Sequence, residues 1–468
     1  MNTTTDRPAQ RRAWRGARRH VLGLLPVAGM LLAAVTAGPA SAAAISHRAA
    51  PAQHAGRHLA AAGATMTMAQ APAGLRAAVR AALGLPAHAA VGSAAPDSSA
   101  AQTTLVPRDH QADFFGISIA VSGNTALVGA STADKHHGAA YVFVRRNGRW
   151  AQQARLTASD GRRRDAFGIS VALDGNTAVV GAANRTEDGL PEPILHGTGG
   201  AYVFVRTGTT WTQQALLTPP TLDSAIGEFF GFSVAVSGQT ALIGAPGDSL
   251  EAGAVFEFTR TGTTWSQTSK FTGSDTGQFD VFGWTVAASG HTAVVGAPQR
   301  GGFTGEAYVF TQTKTGFQQQ ADLTVPNPQT GDLFGRSVAI SGNTALIGSP
   351  GAGLSGVGYV FVRTGTTWTQ QAALAASDPQ SAQALAENSV AISGNTAIAG
   401  ADFTNNQTGA AYEFVRTGTT WAQKAKFTDP NGMRDDSLGF GEAIAGRTAL
   451  VGAPGHDHLH GQVDLFNL

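Results

Sequence analysis

The chain of 468 residues contains no cysteine. That excludes a disulfide scaffold, a cysteine zinc site, an iron–sulfur centre, a thiol enzyme and a cysteine-anchored lipoprotein. Charged residues are scarce, at 13%. No phosphate loop, G-x-S-x-G elbow or H-E-x-x-H helix occurs, so none of those catalytic motifs has a carrier. Beyond residue 42 no apolar stretch approaches the 18 residues of a membrane helix. What remains is a long chain with 59 glycines and 20 prolines. Its length suits either two to four domains or one large repeat fold.

The net charge of +1 is unevenly spread. Residues 1–101 hold ten arginines against Asp6 and Asp97, and taking these from the 32 basic and 31 acidic residues leaves 22 and 29, a net −7, for residues 102–468. An acidic globular part repels phosphate backbones, which argues against nucleic-acid binding. The one basic run, Arg162-Arg163-Arg164, reads as a solvated loop.

The first hundred residues read as address and spacer. A basic head (11–20), a short apolar middle (21–37) and Ala40-Ser41-Ala42 predict a secretory signal cut after Ala42. Arg18-Arg19 weakly resembles a twin-arginine signal, without the usual flanking residues. Residues 43–101 are alanine-rich and have too little branched apolar mass to offset ordering entropy. They read as a flexible spacer or propeptide.

After residue 101 the sequence repeats. Phe-Gly stands at Phe115, Phe167, Phe230, Phe282 and Phe334, and the same frame continues at Ala386-Glu387 and Leu438-Gly439. The intervals are 52, 63, 52, 52, 52 and 52 residues, the long one carrying an insert around 187–196. Within the first unit, strands are predicted over 117–122, 125–130, 139–145 and 150–157, with Gly123-Asn124 as a two-residue turn. Seven four-stranded units predict an all-β, seven-bladed β-propeller of antiparallel blades over 102–468. The seventh unit stops after three strands, at Leu468. Residues 102–106 stand one strand ahead of the first unit and are predicted to complete the last blade, which removes an exposed edge.

Phe-Gly at the head of a unit and Gly-Ala-Pro at its second strand (Gly244-Ala245-Pro246, Gly296-Ala297-Pro298, Gly452-Ala453-Pro454) resemble the FG-GAP repeat. That repeat is best known from the ligand-binding propellers of integrin α subunits, and the short form here resembles secreted bacterial FG-GAP proteins. The resemblance implies extracellular binding or adhesion. One feature departs from integrin. The hairpins there hold calcium in an acidic loop, whereas here they are Ser122-Gly123-Asn124-Thr125 and its counterparts, and no D-x-[DN]-x-[DN]-G run exists. Integrin-type calcium is therefore not expected, and no other cofactor is predicted.

Residues placed by the repeat are most simply packing residues. Tyr141, Tyr202, Tyr308, Tyr359 and Tyr412 share one frame position, and Trp150, Trp211, Trp265, Trp368 and Trp421 share another. An acid precedes the Phe position by two in six units (Asp113, Asp165, Glu228, Asp280, Asp332, Asp436), with Ala384 in the sixth. These acids are expected to cap turn amides, the alternative being a cation-binding ring. Departures from the repeat are the candidate sites. His456, Asp457, His458 and His460 lie on the loop between the second and third strands of unit seven, His136 and His137 on that of unit one, and His196 on that of unit two. Closure makes these units neighbours, so the loops are candidates for a borderline metal. Glu442 replaces an apolar inner-strand residue and Glu387 replaces the glycine of Phe-Gly. Such a carboxylate pair near the axis is a candidate for glycoside hydrolysis. The leading expectation is a secreted, monomeric, non-catalytic binding or adhesion module for an extracellular protein or polysaccharide. It would grip its ligand through the face bearing the longer loops, including the insert at 184–199. The alternatives are a carbohydrate-active enzyme using Glu387 and Glu442, and a purely structural propeller.

Overall fold

The computed structural model describes residues 103–109, 113–185, 197–220, 227–353, 355–379 and 384–468. The leader, the spacer, His196 and most of the insert at 184–199 lie outside them. Blade one comprises the antiparallel strands Phe115–Ser122, Thr125–Ala130, Ala139–Arg146 and Arg149–Leu156. Five more blades follow the same order over 167–217, 233–271, 285–323, 338–374 and 390–427. Blade seven has three strands of its own, Glu442–Ala445, Thr448–Ala453 and Gln462–Asn467. Its fourth is Thr103–Leu105, in register Thr103↔Leu465, Thr104↔Asp464 and Leu105↔Val463. The expected seven-bladed fold and its closure are both present.

The Phe-Gly step explains how blades are joined. The residue before Phe is left-handed, as at Phe114 and Val281 (φ 58° and 53°), and the following glycine is too. This sharp turn lays Phe against the glycine that ends the preceding blade's loop, giving parallel bridges Gly138↔Phe167, Gly199↔Phe230, Gly253↔Phe282, Gly305↔Phe334, Gly409↔Leu438 and, across the seam, Phe115↔Gly461. Gly138 shows why that partner lacks a side chain, since a methyl group there would collide with the Phe167 backbone. Small apolar residues on the inner strands let the blades crowd together. One hydrophobic cluster then fills each of the seven blade interfaces. Phe115 packs edge-on to Tyr141 at 5.7 Å, and Phe167 to Tyr202 at 5.4 Å. The tryptophans bond backward across interfaces, Trp211 Nε1 to Gln153 and Trp421 Nε1 to Gln371, each under an arginine at 5.3 Å. Both aromatic frames are thus sheet and interface glue.

Blade six corrects one expectation. Leu385, not Ala386, occupies the Phe position: its amide donates to the Ser355 carbonyl as Phe334 donates to Thr304. Ala386 takes the glycine's place at φ 64°, so Glu387 follows that glycine position rather than replacing it. The cause lies in blade five, whose loop spans Ser349 to Val357 where blade four needs Ala297 to Glu306, one residue more. The missing residue is returned just before the strand Val390–Ser393. Ala384 accordingly matches left-handed Leu333, and the sixth acid position falls on residue 383, outside the described residues. A left-handed alanine costs about 1 kcal/mol. Ala386→Gly is therefore expected to raise the urea midpoint by a corresponding amount without altering the slope.

Candidate functional site

The residue after each Phe-Gly turn stands at or just ahead of the start of its blade's first strand: Ile117, Ile169, Phe232, Trp284, Arg336, Glu387 and Phe440. Five are apolar. The exceptions are neighbours, with Arg336 Nη2 3.7 Å from Glu387 Oε1. Arg336 also lies over Trp284 at 4.4 Å, and Trp284 packs on Phe232 at 4.7 Å. Behind them is Asp402, where units three, four, five and seven have a proline; it accepts from Asn388 Nδ2 at 3.0 Å. Burial raises the carboxyl pKa values of Glu387 and Asp402. Arg336 partly opposes this at Glu387, and the charge of Glu387 adds to it at Asp402.

Glu442 sits one blade further on, near the axis as expected, but with a structural task. In five blades a hydroxyl on the first strand donates to the carbonyl at the next blade's glycine position, as Ser118 does to Gly168 (2.9 Å) and Ser337 to Ala386 (2.7 Å). Ser389, the counterpart in blade six, instead accepts from the Glu442 amide at 3.1 Å. A methyl group at Gly400 would collide with the Gly439 carbonyl and Glu442 Oε1, whereas at Gly129 it would meet the Gly168 carbonyl and the Ser118 hydroxyl. The Glu442 carboxyl therefore occupies the place of the missing hydroxyl. It is 5% exposed, and neither oxygen has a well-aligned hydrogen-bond partner. Burial pushes its pKa well up; the Ser389 hydroxyl opposes the shift and Asp402 adds to it. Glu387 is engaged by Arg336 and Glu442 is sequestered, so neither is offered as a free acid–base pair.

Four of the six acids before the Phe position cap turns. Asp165, Asp280, Asp332 and Asp436 each accept from the amide three residues upstream at 2.7–2.8 Å. Beside them lies a second polar node in which loop, strand and turn meet. In blade two, Tyr202 and Arg185 both bind Asp160, at 2.8 and 3.2 Å. In blade four, Tyr308 and Arg300 both bind Asp275, and Arg300 Nε reaches Asp280 at 3.6 Å. Blade seven keeps the positions and changes the residues. His456 stands three residues past Ala453, as Arg300 does past Ala297, and Asp464 pairs with Val451 as Tyr308 does with Val295. His456 Nδ1 is 3.0 Å from Asp436 Oδ2. One ligand atom from each of His456, Asp436 and Asp429 lies within 4.8 Å of the others. Gln462 Nε2 donates to Asp429 at 3.1 Å and to Asp464 at 3.2 Å. Burial, reinforced by the Asp429 charge, pushes Asp464 up to about 6.

The other loop histidines go elsewhere. His460 Nδ1 is 3.4 Å from Asp113, and His136 lowers the pKa of the same carboxyl, which burial raises. His137 Nδ1 lies 2.6 Å from the Asp134 carbonyl oxygen. Asp457 and His458 are exposed in a left-handed turn. Asp429 and Asp464, which complete the blade-seven node, were not anticipated. Asp464 standing in the tyrosine frame, and His456 in the arginine frame, were the signals that point to it.

Five large apolar side chains are exposed among the described residues: Val106, Leu250, Phe279, Phe303 and Met433. All five lie on connections between second and third strands or between blades. These connections share one face and touch, the Val281 amide donating to Glu251 (2.8 Å) and that of Leu333 to Phe303 (3.2 Å). Leu250, Phe279 and Phe303 are left-handed, at φ 59°, 68° and 69°.

Seven segments of the chain match the FG-GAP repeat: 100–143, 150–204, 211–258, 265–310, 317–362, 368–414 and 421–465, well over half of its length. The chain belongs to the FG-GAP repeat family. No curated protein matches it. It is similar to a chain of the solved structure described as "Crystal Structure of Mitotic Checkpoint Complex", at 12% identity and a TM-score of 0.47, covering 82% of this chain and 97% of that one. In this FG-GAP propeller the hairpin turns opposite the loop-bearing face tie blades together. Gly175 N donates to Ser122 Oγ at 2.9 Å and Gly238 N to Asp174 Oδ2 at 2.7 Å.

Proposed function

We propose that the propeller is a non-catalytic binding module, presented outside the cell, that recognises a protein or polysaccharide through the loop-bearing face. The observation that carries this reading is the placement of the exposed apolar side chains. All five are on one face, and three occupy left-handed backbone, which is costly for bulky residues. Sister blades carry polar residues on the same left-handed turns, Arg164 and Asp435 in the place of Phe279 and Lys135 and Asn406 in the place of Leu250, so the half-exposed apolar side chains are not required by the turn and suit a recognition surface. The FG-GAP family is typically extracellular, which agrees with the export signal read into residues 1–42. No helix among the described residues is long and apolar enough to cross a membrane.

The test is a glycan array together with a panel of extracellular-matrix proteins, probed with wild type and with Phe279→Ser/Phe303→Ser. Both side chains are about half exposed, at 54% and 41%, so the melting temperature is expected to fall by no more than about 3 °C. Binding is expected to fall at least tenfold, since aromatic anchors dominate interfaces. Undiminished binding by the double variant would overturn the reading. Release of reducing sugar that is lost in Glu387→Gln would replace it with a catalytic one.

A further inference from the structure

We propose that the blade-seven node is a binding site for a borderline divalent cation such as zinc, with His456, Asp429 and Asp436 as ligands. The argument begins with the sister nodes. Blades two and four place a guanidinium among their acids, and Arg300 alone faces Asp275, Asp280 and Glu306. In these two blades a permanent cation is part of the node, while the same loop position carries Ala133, Asp248, Ala352 and Thr404 in blades one, three, five and six. Blade seven removes it and adds a carboxylate: His456 stands for the arginine and Asp464 for the tyrosine. Among the described residues no lysine or arginine pairs with Asp429, Asp436 or Asp464. Three acids and one imidazole are left where blades two and four supply positive charge.

The donor set suits a borderline ion. One imidazole nitrogen and two carboxylate oxygens already lie within 4.8 Å of one another. An ion taking ligands at about 2.0–2.2 Å needs only small side-chain adjustments from that spacing. Both carboxylate ligands are held from behind. Asp436 Oδ2 accepts from the Met433 amide (2.7 Å), Asp429 Oδ1 from Asn431 (2.8 Å), and Gln462 bridges Asp429 to Asp464. His456 and Asp429 are only half-buried, so an ion can enter. Asp464 also accepts from the Thr104 hydroxyl at 3.0 Å, which places the site beside the seam that closes the ring.

The experiment uses the full chain. After dialysis against zinc and removal of excess, wild type is expected to retain one zinc per chain. Free zinc a hundredfold above Kd is expected to raise the melting temperature by roughly 2–4 °C. His456→Arg, which restores the sister blades' cation, and Asp429→Asn are each expected to abolish retention and shift, while His136→Gln/His458→Gln/His460→Gln retains both. Either of the first two variants suffices if the other fails to fold. An absence of zinc retention in wild type, retention by His456→Arg or Asp429→Asn, or loss only in the triple histidine variant would each overturn the proposal.

Discussion

Deleting residues 102–106 is expected to destabilise the propeller by at least about 4 kcal/mol. Leu105 is 4% exposed and belongs to the cluster at the seam with Phe115, Tyr141, Val463 and Leu465. Truncating a leucine in such a place costs about 2–5 kcal/mol. Deletion also removes the ladder to Gln462–Asn467 and the bond from Thr104 to buried Asp464, and it opens an unpaired edge. The Phe115↔Gly461 bridge and the inner-strand contacts remain, so the variant is expected to fold but melt early and associate through its bare edge. Leu105→Ala alone should lose about half of that stability. Urea unfolding measures both, and unchanged midpoints would contradict the closure.

Glu442→Gln is expected to stabilise the protein by about 1–3 kcal/mol at pH 8 and by almost nothing at pH 4. The buried carboxyl has its pKa raised well above 4.5 in the fold. Below pH 4.5 folded and unfolded forms are both protonated, and no penalty exists. As pH rises past that point the unfolded chain ionises while the folded one does not, so stability falls until the folded pKa is reached. Glutamine offers an N–H toward the Gly439 carbonyl and never ionises. Asp402 and Glu387 are shifted in the same direction, so the variant keeps a shallower decline with pH. Chemical denaturation at pH 4, 6 and 8 checks this, and equal stability of the two proteins at pH 8 would show that Glu442 is not held neutral.

The blades, their strands and the closing segment were legible because a propeller is a periodic object, and its period is written in Phe-Gly and in the Tyr and Trp frames. The slip in blade six was not read, because neither phenylalanine nor glycine marks that turn. The eleven-residue spacing from Leu374 to Leu385, matching Leu323 to Phe334, was the remaining signal. Glu387 and Glu442 belong to the first-strand segments of adjacent blades, but their chemistry depends on Arg336, Asp402 and Ser389, which only the ring brings close. The loop histidines looked like one group in sequence. Left-handed turns send His458 outward, while His456 is carried to Asp429 and Asp436. The exposed apolar side chains could not be read as a face until the strands had assigned every loop to one side or the other.

The most direct test of the ring uses the absence of cysteine. Thr103 and Leu465 are paired across the seam, and antiparallel neighbours fall within disulfide reach. In Thr103→Cys/Leu465→Cys the only two thiols of the chain are expected to form an intramolecular bond on mild oxidation. That bond should raise the melting temperature by several degrees over the reduced form, because it closes a very long loop. Persistent free thiols, or only cross-linked dimers, would contradict a propeller zipped shut by its own leading strand.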